Sequence, residues 1–360
     1  MKPRKIGIVG CGVIAGSHVR ILRRLMPGAT IALYDVDYQR AKVFAERWSL
    51  KSVYTDMETL LAQERPDTVH IVTPPSTHAV LAEKALLADA HVFVEKPVTE
   101  SATEYNRLAD LAAGKQRILC GDYSTLGMPV VREAVRMVRS GELGKLVAMH
   151  CTFAGSEGGG KIQYKDPNHW AYKLRGGILQ NMIDHPLSLA LSVMDPVEEH
   201  HLFVNRRNML PCDSPDLVHL SLRNQHQVGS LTLSLGHGCN ERRAHFILEG
   251  GSIVIDMGRQ LISCNKGRGP QSFIKKALSG ILEGYAYAGG TVRNMVLAAC
   301  GKLARDPGIA HVMENFYRAI EFGDELTVRA EVLRSMTGLL DEIWDEVDSQ
   351  CQATIEELPR

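Results

Sequence analysis

The sequence lacks the features of membrane and secreted proteins. No apolar run approaches the roughly 20 residues needed to cross a bilayer, and the short apolar stretch near the N-terminus has no secretory signal shape. The 8 cysteines are scattered without a Cys-x-x-Cys pair, which favours free thiols over a disulfide frame or a zinc site. We therefore expect a cytoplasmic protein with no metal centre and no membrane contact.

The sequence also lacks any excess of positive charge. Lysine plus arginine and aspartate plus glutamate both total 41, so the formal net charge is zero. A duplex-binding domain is usually basic, and we therefore expect no nucleic-acid partner. Repeats and low-complexity linkers are absent too, and 360 residues are enough for two domains.

The hydrophobic pattern changes partway along the chain. Residues 1–122 alternate short apolar runs with helical patterns, which predicts a parallel, doubly wound α/β sheet. Residues 123–360 contain short segments of period two, as in Ser230–Leu235, which predict an α+β domain with a largely antiparallel sheet. Within it, 271–304 reads as a helical insertion of one or two helices, whose clustered glycines argue against one continuous helix.

A glycine-rich turn follows the first predicted strand, Lys5–Val9. Its residues are Gly10-Cys11-Gly12-Val13-Ile14-Ala15, followed by apolar residues at helical spacing. Gly10 permits a tight turn, Gly12 lets the backbone approach a pyrophosphate, and Ala15 takes the third position of the fingerprint. The helix N-terminus attracts the phosphates. The turn therefore predicts a dinucleotide site that includes Gly10, Gly12, Val13, Ile14 and Ala15.

Asp35 ends the next apolar run, Thr30–Tyr34. A carboxylate at this position suits the ribose 2′-hydroxyl of NAD and repels the 2′-phosphate of NADP. We therefore predict NAD as the cofactor, although Arg40 keeps NADP as an alternative. The structural alternative is an ordinary turn with a solvated aspartate.

A lysine stands at the end of another predicted strand. Glu95-Lys96-Pro97 follows the apolar run His91–Val94. Ligands of an open parallel sheet lie beyond the carboxyl ends of its strands, so this lysine is expected to face the cofactor. It is a candidate acid or base for a hydroxyl proton. The alternative is a lysine that only bonds backbone carbonyls.

Together these motifs resemble the Gfo/Idh/MocA family, named after glucose–fructose oxidoreductase, inositol dehydrogenase and rhizopine catabolism. The similar segments are the glycine turn with His18, Thr73-Pro74-Pro75 with His78, Glu95-Lys96-Pro97, Ser140-Gly141-Glu142-Leu143-Gly144, and Gly176-Gly177 with His185. The resemblance implies a Rossmann domain and a C-terminal domain whose open sheet often builds homodimers or homotetramers. It also implies NAD(P)-dependent hydride transfer to or from a sugar, nucleotide-linked sugar or cyclitol.

The resemblance also implies roles for individual residues. Lys96 and His185 are expected to be catalytic. Further cofactor contacts are expected at Thr73, Pro74, His78, Glu95 and Lys96, and substrate contacts at Tyr123, Trp170, Asn181 and His185. Core packing remains open for Tyr123, and an ordinary loop for Trp170. His185 is expected to begin an apolar helix.

Asn181 departs from the family pattern. Many family dehydrogenases carry an aspartate four residues before this histidine, and an asparagine cannot titrate. Two alternatives to net oxidation or reduction therefore stay open. One is redox-neutral, NAD-assisted epimerisation or elimination, and the other is a non-catalytic NAD-binding regulator.

The segment 271–304 mixes basic and apolar residues. This composition is compatible with a helix pair at a membrane surface. We expect instead an insertion that packs on the core or faces another subunit.

Overall fold

The computed structural model describes residues 1–2, 4–155, 166–194, 196–210, 215–236, 240–267, 273–300 and 306–356, without the side chains of 273–279, 282, 283, 286 and 348–356. It divides into two compact units. The first holds Met1–Ser124 and Gly308–Gly338, and the second holds Thr125–Pro307 and Leu339–Arg360. The sequence analysis did not anticipate that a late segment of the chain belongs to the first unit. Of the predicted insertion, 271–272 and 301–304 lie outside the described residues.

The first unit is built on a six-stranded parallel sheet with the order β3-β2-β1-β4-β5-β6. The strands are β1 (Lys5–Val9), β2 (Thr30–Tyr34), β3 (Ser52–Tyr54), β4 (Thr68–Ile71), β5 (His91–Glu95) and β6 (Leu119–Asp122). Most residues of the central strands are buried because helices cover a parallel sheet on both faces. The strand order reverses between β1 and β4, which is where such sheets bind ligands. The predicted doubly wound fold is confirmed.

Helices of the first unit begin at recognisable caps. They are α1 (Ala15–Leu25), α2 (Tyr38–Trp48), α3 (Met57–Glu64), α4 (His78–Leu87) and α5 (Ala102–Gly114). Asp37, Asp56 and Ser101 each accept a backbone N–H three residues ahead, at the starts of α2, α3 and α5. Such caps satisfy donors that the helix itself cannot. The start of α1 has no side-chain cap hydrogen bond.

The described part of the second unit holds a seven-stranded sheet with the order β13-β12-β11-β7-β10-β9-β8. The strands are β7 (Leu146–Gly155), β8 (Glu199–Asn205), β9 (Leu217–Arg223), β10 (Val228–Leu235), β11 (Glu241–Leu248), β12 (Gly251–Asp256) and β13 (Leu261–Lys266). Neighbours pair antiparallel, except that β7 pairs parallel with β10. The expected α+β domain with a largely antiparallel sheet is confirmed.

Six helices complete the described fold. They are α6 (Ser124–Gly127), α7 (Pro129–Ser140), α8 (Gly177–Val193), α9 (Phe273–Ala299), α10 (Pro307–Phe322) and α11 (Ala330–Glu356). α9 is one continuous helix, so the expectation that its glycines interrupt it is wrong. Helical backbone runs through them because its hydrogen bonds continue regardless of the side chain, at about 1 kcal/mol per glycine. Several large apolar side chains of α9 are exposed, namely Ile281, Tyr285, Val292, Met295 and Val296.

No helix in the described ranges is both long and apolar enough to cross a membrane.

The double glycine before His185 has two distinct physical reasons. A Cβ built on Gly176 would collide with the ring of Trp344, and Gly177 adopts a φ of +57°, which L side chains rarely adopt. α8 begins at Gly177, so His185 lies in the middle of this helix. The expectation that His185 begins the helix is wrong, because the apolar periodicity already starts at Ile178.

Gly176→Ala is expected to destabilise the protein by about 1–3 kcal/mol, because the added methyl overpacks a contact with a buried indole. Gly338→Ala is the matched control, since a Cβ there meets nothing within 4 Å inside a helix. The free energy of unfolding, measured by urea denaturation, checks this prediction. Equal stability of the two variants would contradict it.

Candidate functional site

The glycine turn leaves space where a cofactor phosphate would lie. Gly10 has a φ of +100°, and a Cβ there would lie 2.9 Å from both Thr73 Cγ2 and Val72 O. A Cβ on Gly12 would meet nothing within 4 Å. The turn opens onto the uncapped N-terminus of α1, whose N–H groups and dipole favour an anion. These residues fit a dinucleotide pyrophosphate.

Asp35 is buried at the end of β2 and tied to the glycine turn. Its Oδ2 accepts the Cys11 N–H at 2.8 Å, and its Oδ1 accepts the Asp37 N–H at 3.0 Å. A carboxylate offers about four acceptor positions, so two remain for ribose hydroxyls. The carboxylate and burial also raise the pKa of the Cys11 thiol, to about 12, with burial the larger cause. Cys11 is therefore an unreactive thiol at neutral pH.

Arg40 lies beside this carboxylate. Its guanidinium nitrogens lie 3.5 Å from Asp35 Oδ1 and 3.5 Å from Asp37 Oδ2, and its side chain is 56% exposed. The arginine is thus engaged by two carboxylates. Its pairing favours NAD over NADP, because a 2′-phosphate would have to displace those partners and approach Asp35.

His78 joins the loops that follow β4 and β5. It is completely buried, and its ring nitrogens lie 2.7 Å from Pro97 O and 2.8 Å from Thr73 O. Both nitrogens are therefore directed at backbone carbonyls. The structure places His78 as a support of the loops, whereas Thr73 is half-buried and Pro74 exposed at the loop surface. Burial lowers the pKa of His78, against the effect of the two carbonyls.

Lys96 is half-buried directly after β5, and its peptide bond to Pro97 is cis. The preceding carboxylate, Glu95, lies 3.4 Å from His18 Nε2. Burial opposes ionisation of Glu95, but the hydrogen bond and charge of His18, followed by the charge of Lys96, lower the pKa of its carboxyl. An ionised Glu95 thus stands next to the candidate catalytic lysine.

A chain of buried polar side chains runs inward from Glu95. His18 Nδ1 lies 3.0 Å from His70 Nδ1, and His70 Nε2 lies 2.8 Å from the hydroxyl of Tyr317. That hydroxyl lies 3.0 Å from Thr68 Oγ1. We call His18, His70, Tyr317 and Thr68 the buried chain, and all four are 0% exposed.

Asp122, at the end of β6, completes the surroundings of His18. Its Oδ2 lies 3.8 Å from His18 Nε2, and it pairs in register with Glu95. One ring nitrogen of His18 and one carboxylate oxygen each of Glu95 and Asp122 lie within 4.8 Å of one another. Such a cluster occurs both in metal sites and in buried ion pairs. The separations are those of an ion pair.

The sequence analysis missed His70, Asp122 and Tyr317. His70 could have been recognised because it lies inside the apolar run of β4. A polar side chain in a strand that is covered on both faces needs a hydrogen-bonding partner.

The second unit holds His185 in the middle of α8. Its Nδ1 lies 2.9 Å from Thr125 Oγ1, and its ring stacks on Phe153 with centroids 6.2 Å apart and planes inclined by 11°. Asn181 lies one turn earlier on the same helix face and is 5% exposed. The ring of His185 is thus held in a fixed orientation beside a buried amide.

Tyr123 and Trp170 differ in exposure. Tyr123 is completely buried, and a Cβ on Gly121 would meet its ring at 2.6 Å, which supports core packing over a substrate contact. Trp170 is half-buried at the start of a short 3₁₀ helix, Trp170–Lys173, with its ring 5.2 Å from that of His169. An accessible aromatic face is compatible with the expected contact to a sugar ring.

Sequence models of one oxidoreductase family match both parts of the chain. Residues 4–123 match its NAD-binding Rossmann domain, described as "Oxidoreductase family, NAD-binding Rossmann fold", and residues 131–254 match the "GFO/IDH/MocA C-terminal domain". The chain belongs to the Gfo/Idh/MocA oxidoreductase family. It thereby contains an NAD-binding Rossmann domain, and the resemblance stated from the motifs is confirmed.

Curated relatives match part of the chain. A dTDP-3,4-didehydro-2,6-dideoxy-alpha-D-glucose 3-reductase of Saccharopolyspora spinosa is 34% identical over 155 residues, which are 40% of this chain and 44% of that protein. An inositol 2-dehydrogenase of Burkholderia lata is 30% identical over 151 residues, 41% of this chain and 44% of that protein. The match thus spans less than half the length of these two relatives.

Solved structures match the whole fold. The WlbA dehydrogenase from Bordetella pertussis, in complex with NADH and UDP-GlcNAcA, has a TM-score of 0.76 at 17% identity, covering 97% of this chain and 96% of that one. The UDP-N-acetylglucosamine 3-dehydrogenase GnnA from Acidithiobacillus ferrooxidans has a TM-score of 0.71 at 17% identity, covering 94% and 95%. At this identity the likeness shows a common fold.

The environment of Asp35 predicts cofactor preference. Asp35→Ser should raise NADP affinity by about tenfold, or about 1.4 kcal/mol, because it removes the repelling carboxylate and releases Arg40 to bind a 2′-phosphate. Calorimetric titration with NAD and NADP measures both affinities. Adding Arg40→Met to Asp35→Ser should abolish the gain. Tighter binding of NADP than NAD by the unaltered protein would contradict the prediction.

Proposed function

We propose that this protein is an NAD-dependent dehydrogenase or reductase that acts on a sugar, a nucleotide-linked sugar or a cyclitol. The observation that carries the proposal is the placement of Asp35 and Lys96 at the carboxyl ends of β2 and β5, two strands on either side of the switch point of one parallel sheet. Family membership supports an oxidoreductase. The similar proteins named above act on deoxysugar nucleotides, inositol and UDP-linked amino sugars by their names, which supports the substrate class.

Bound NAD supplies a two-electron hydride acceptor or, as NADH, a donor. The protein must then move one proton at the hydroxyl whose carbon gains or loses hydride. We assign this proton to Lys96 Nζ. A lysine can serve as such a base when desolvation or nearby positive charge favours its neutral form, and Lys96 is half-buried at the strand end.

His185 is assigned a polar contact to the substrate. The contact to Thr125 and the stack on Phe153 fix the ring, so a proton on His185 is presented in one direction. Asn181 is proposed to bind a substrate hydroxyl through its amide. An amide stays neutral at every pH, so it orients without exchanging a proton.

Lys96→Met should lower kcat by about 10²–10⁴-fold while NAD affinity changes by no more than a few-fold, because the lysine serves proton transfer more than phosphate binding. Absorbance at 340 nm with a panel of sugars, nucleotide sugars and inositols measures turnover, and calorimetry measures NAD binding. Lys115→Met is the matched control, since Lys115 pairs with Asp89 on the surface and should leave kcat unchanged. A Lys96→Met protein that keeps most of its kcat would assign the proton to another group.

Asn181→Asp tests whether the amide belongs to the mechanism. We expect kcat/KM to fall by about tenfold, because the change buries a new charge beside the substrate, and each 1.4 kcal/mol is a factor of ten. Gln180→Glu is the matched control: it also replaces a buried amide by a carboxylate, one position away, and keeps the acceptor for the Gly176 N–H. A clear rise in kcat/KM for Asn181→Asp would instead indicate a standard dehydrogenase that has lost its carboxylate.

Product analysis at constant 340 nm signal addresses redox-neutral chemistry. Substrate conversion without net NADH change would replace the proposed reaction by NAD-assisted epimerisation or elimination.

A further inference from the structure

His18 links the carboxylates at the ends of β5 and β6 to the core of the first unit. Its Nε2 faces Glu95 at 3.4 Å and Asp122 at 3.8 Å, while its Nδ1 faces His70 at 3.0 Å. A neutral imidazole carries one N–H, on either nitrogen, so the surroundings decide which tautomer forms.

The inner members of the buried chain are neutral. Burial, and then the adjacent His18, lower the pKa of His70 well below its ordinary value. Burial raises the pKa of the Tyr317 phenol, so this hydroxyl keeps its proton. The contacts can therefore be satisfied in order: Tyr317 donates to His70 Nε2, His70 Nδ1–H donates to His18 Nδ1, and His18 Nε2–H donates to Glu95.

A protonated His18 would also donate its Nε2–H to Glu95. An imidazolium donates from both nitrogens, so its Nδ1–H points to His70 and its Nε2–H to Glu95. The opposite neutral tautomer would aim an Nε2 lone pair at two carboxylates. Each acceptable state therefore places a proton between His18 and Glu95.

We propose that His70 and Tyr317 are positioning residues that keep Nε2 of His18 protonated, so that His18 always donates to Glu95 and holds that carboxylate ionised beside Lys96. The chain is a fixed support and not a proton exit, since its inner end at Thr68 is completely buried. Two effects select the tautomer: the carboxylates of Glu95 and Asp122 disfavour a lone pair on Nε2, and a hydrogen bond from His70 to Nδ1 adds to that preference.

Several titratable groups face His18 and Glu95 from the elements packed around them. They are His70 on β4, Lys96 after β5, Asp122 on β6, Tyr317 on α10 and His78 on α4. None of them other than His70 lies at hydrogen-bond distance from Nδ1 of His18 in the contacts described. Substitution of His70 therefore removes the hydrogen bond at Nδ1 of His18 and leaves the charged groups around Nε2 in place.

Nitrogen-15 NMR of the full-length protein, labelled at its histidines, reads the tautomer directly. Through-bond correlation of ring nitrogens to ring protons distinguishes Nδ1–H, Nε2–H and imidazolium, and linkage to the assigned backbone identifies His18. We expect Nε2 to be protonated in the unaltered protein from pH 6 to pH 9. An Nδ1–H tautomer of His18 at any of these pH values would overturn the proposal, and this arm requires no substrate.

The variants His70→Leu and His70→Asn form a matched pair. Leucine removes the partner of His18 Nδ1, whereas the asparagine amide can still donate to it. We expect a mixture of His18 tautomers in His70→Leu and the Nε2–H form alone in His70→Asn. Tyr317→Phe gives an independent test should His70→Leu fail to fold, because it removes one hydroxyl and is expected to admit the second tautomer. A single Nε2–H tautomer in both Tyr317→Phe and a folded His70→Leu would overturn the proposal.

The functional arm rests on the proposed dehydrogenase activity. Loss of a hydrogen bond to the charged form raises the pKa of a carboxyl, so the acid limb of kcat/KM should move up by about one pH unit in His70→Leu and return in His70→Asn. An unmoved limb in an active His70→Leu enzyme would overturn the claimed effect on Glu95. Absence of turnover in the unaltered protein with every substrate would count against the proposed function alone, because the NMR result stands apart from it.

Discussion

His78 ties together the two loops on which the cofactor end of the sheet depends. Its ring nitrogens lie 2.8 Å from Thr73 O and 2.7 Å from Pro97 O, so the ends of β4 and β5 are held by one buried side chain. Thr73 in turn fills the space beside Gly10, where a Cβ would lie 2.9 Å from Thr73 Cγ2. The phosphate turn, the loop after β4 and the loop with Lys96 are therefore mutually positioned by contact.

The core of the first unit contains polar side chains whose desolvation cost is offset by hydrogen bonds to one another. An unpaired polar side chain in the core costs about 1–3 kcal/mol, and His18, His70 and Tyr317 are each fully buried. Their hydrogen bonds continue one another from Glu95 to Thr68, and each group is satisfied only while its neighbour keeps its place. Such a network fixes one arrangement more strictly than apolar packing of similar volume, which suits the position next to Lys96.

Local signals allowed the sheet and much of its ligand edge to be predicted. β1 and β2 have the expected bounds, because apolar runs flanked by glycine and aspartate are readable from a few residues. The partnership of His70 with Tyr317 could not be predicted, since the two are 247 residues apart and meet only because 308–338 returns to the first unit. His185 was misplaced within its helix because the helix was expected to begin there, whereas α8 begins at Gly177 and continues through Pro186.

α8 carries polar residues although it is a buried helix. The helix is buried along nearly its whole length, and most of its residues are apolar. Asn181, His185 and Ser188 nevertheless recur at intervals of four and three residues, which places them on one face. A buried helix that only packed would gain stability from apolar residues at these positions, because burial of amide and imidazole groups carries a desolvation cost. Contacts within the second unit offset part of this cost, since His185 Nδ1 lies 2.9 Å from Thr125 Oγ1 and the Ser188 hydroxyl donates to the backbone carbonyl of His185.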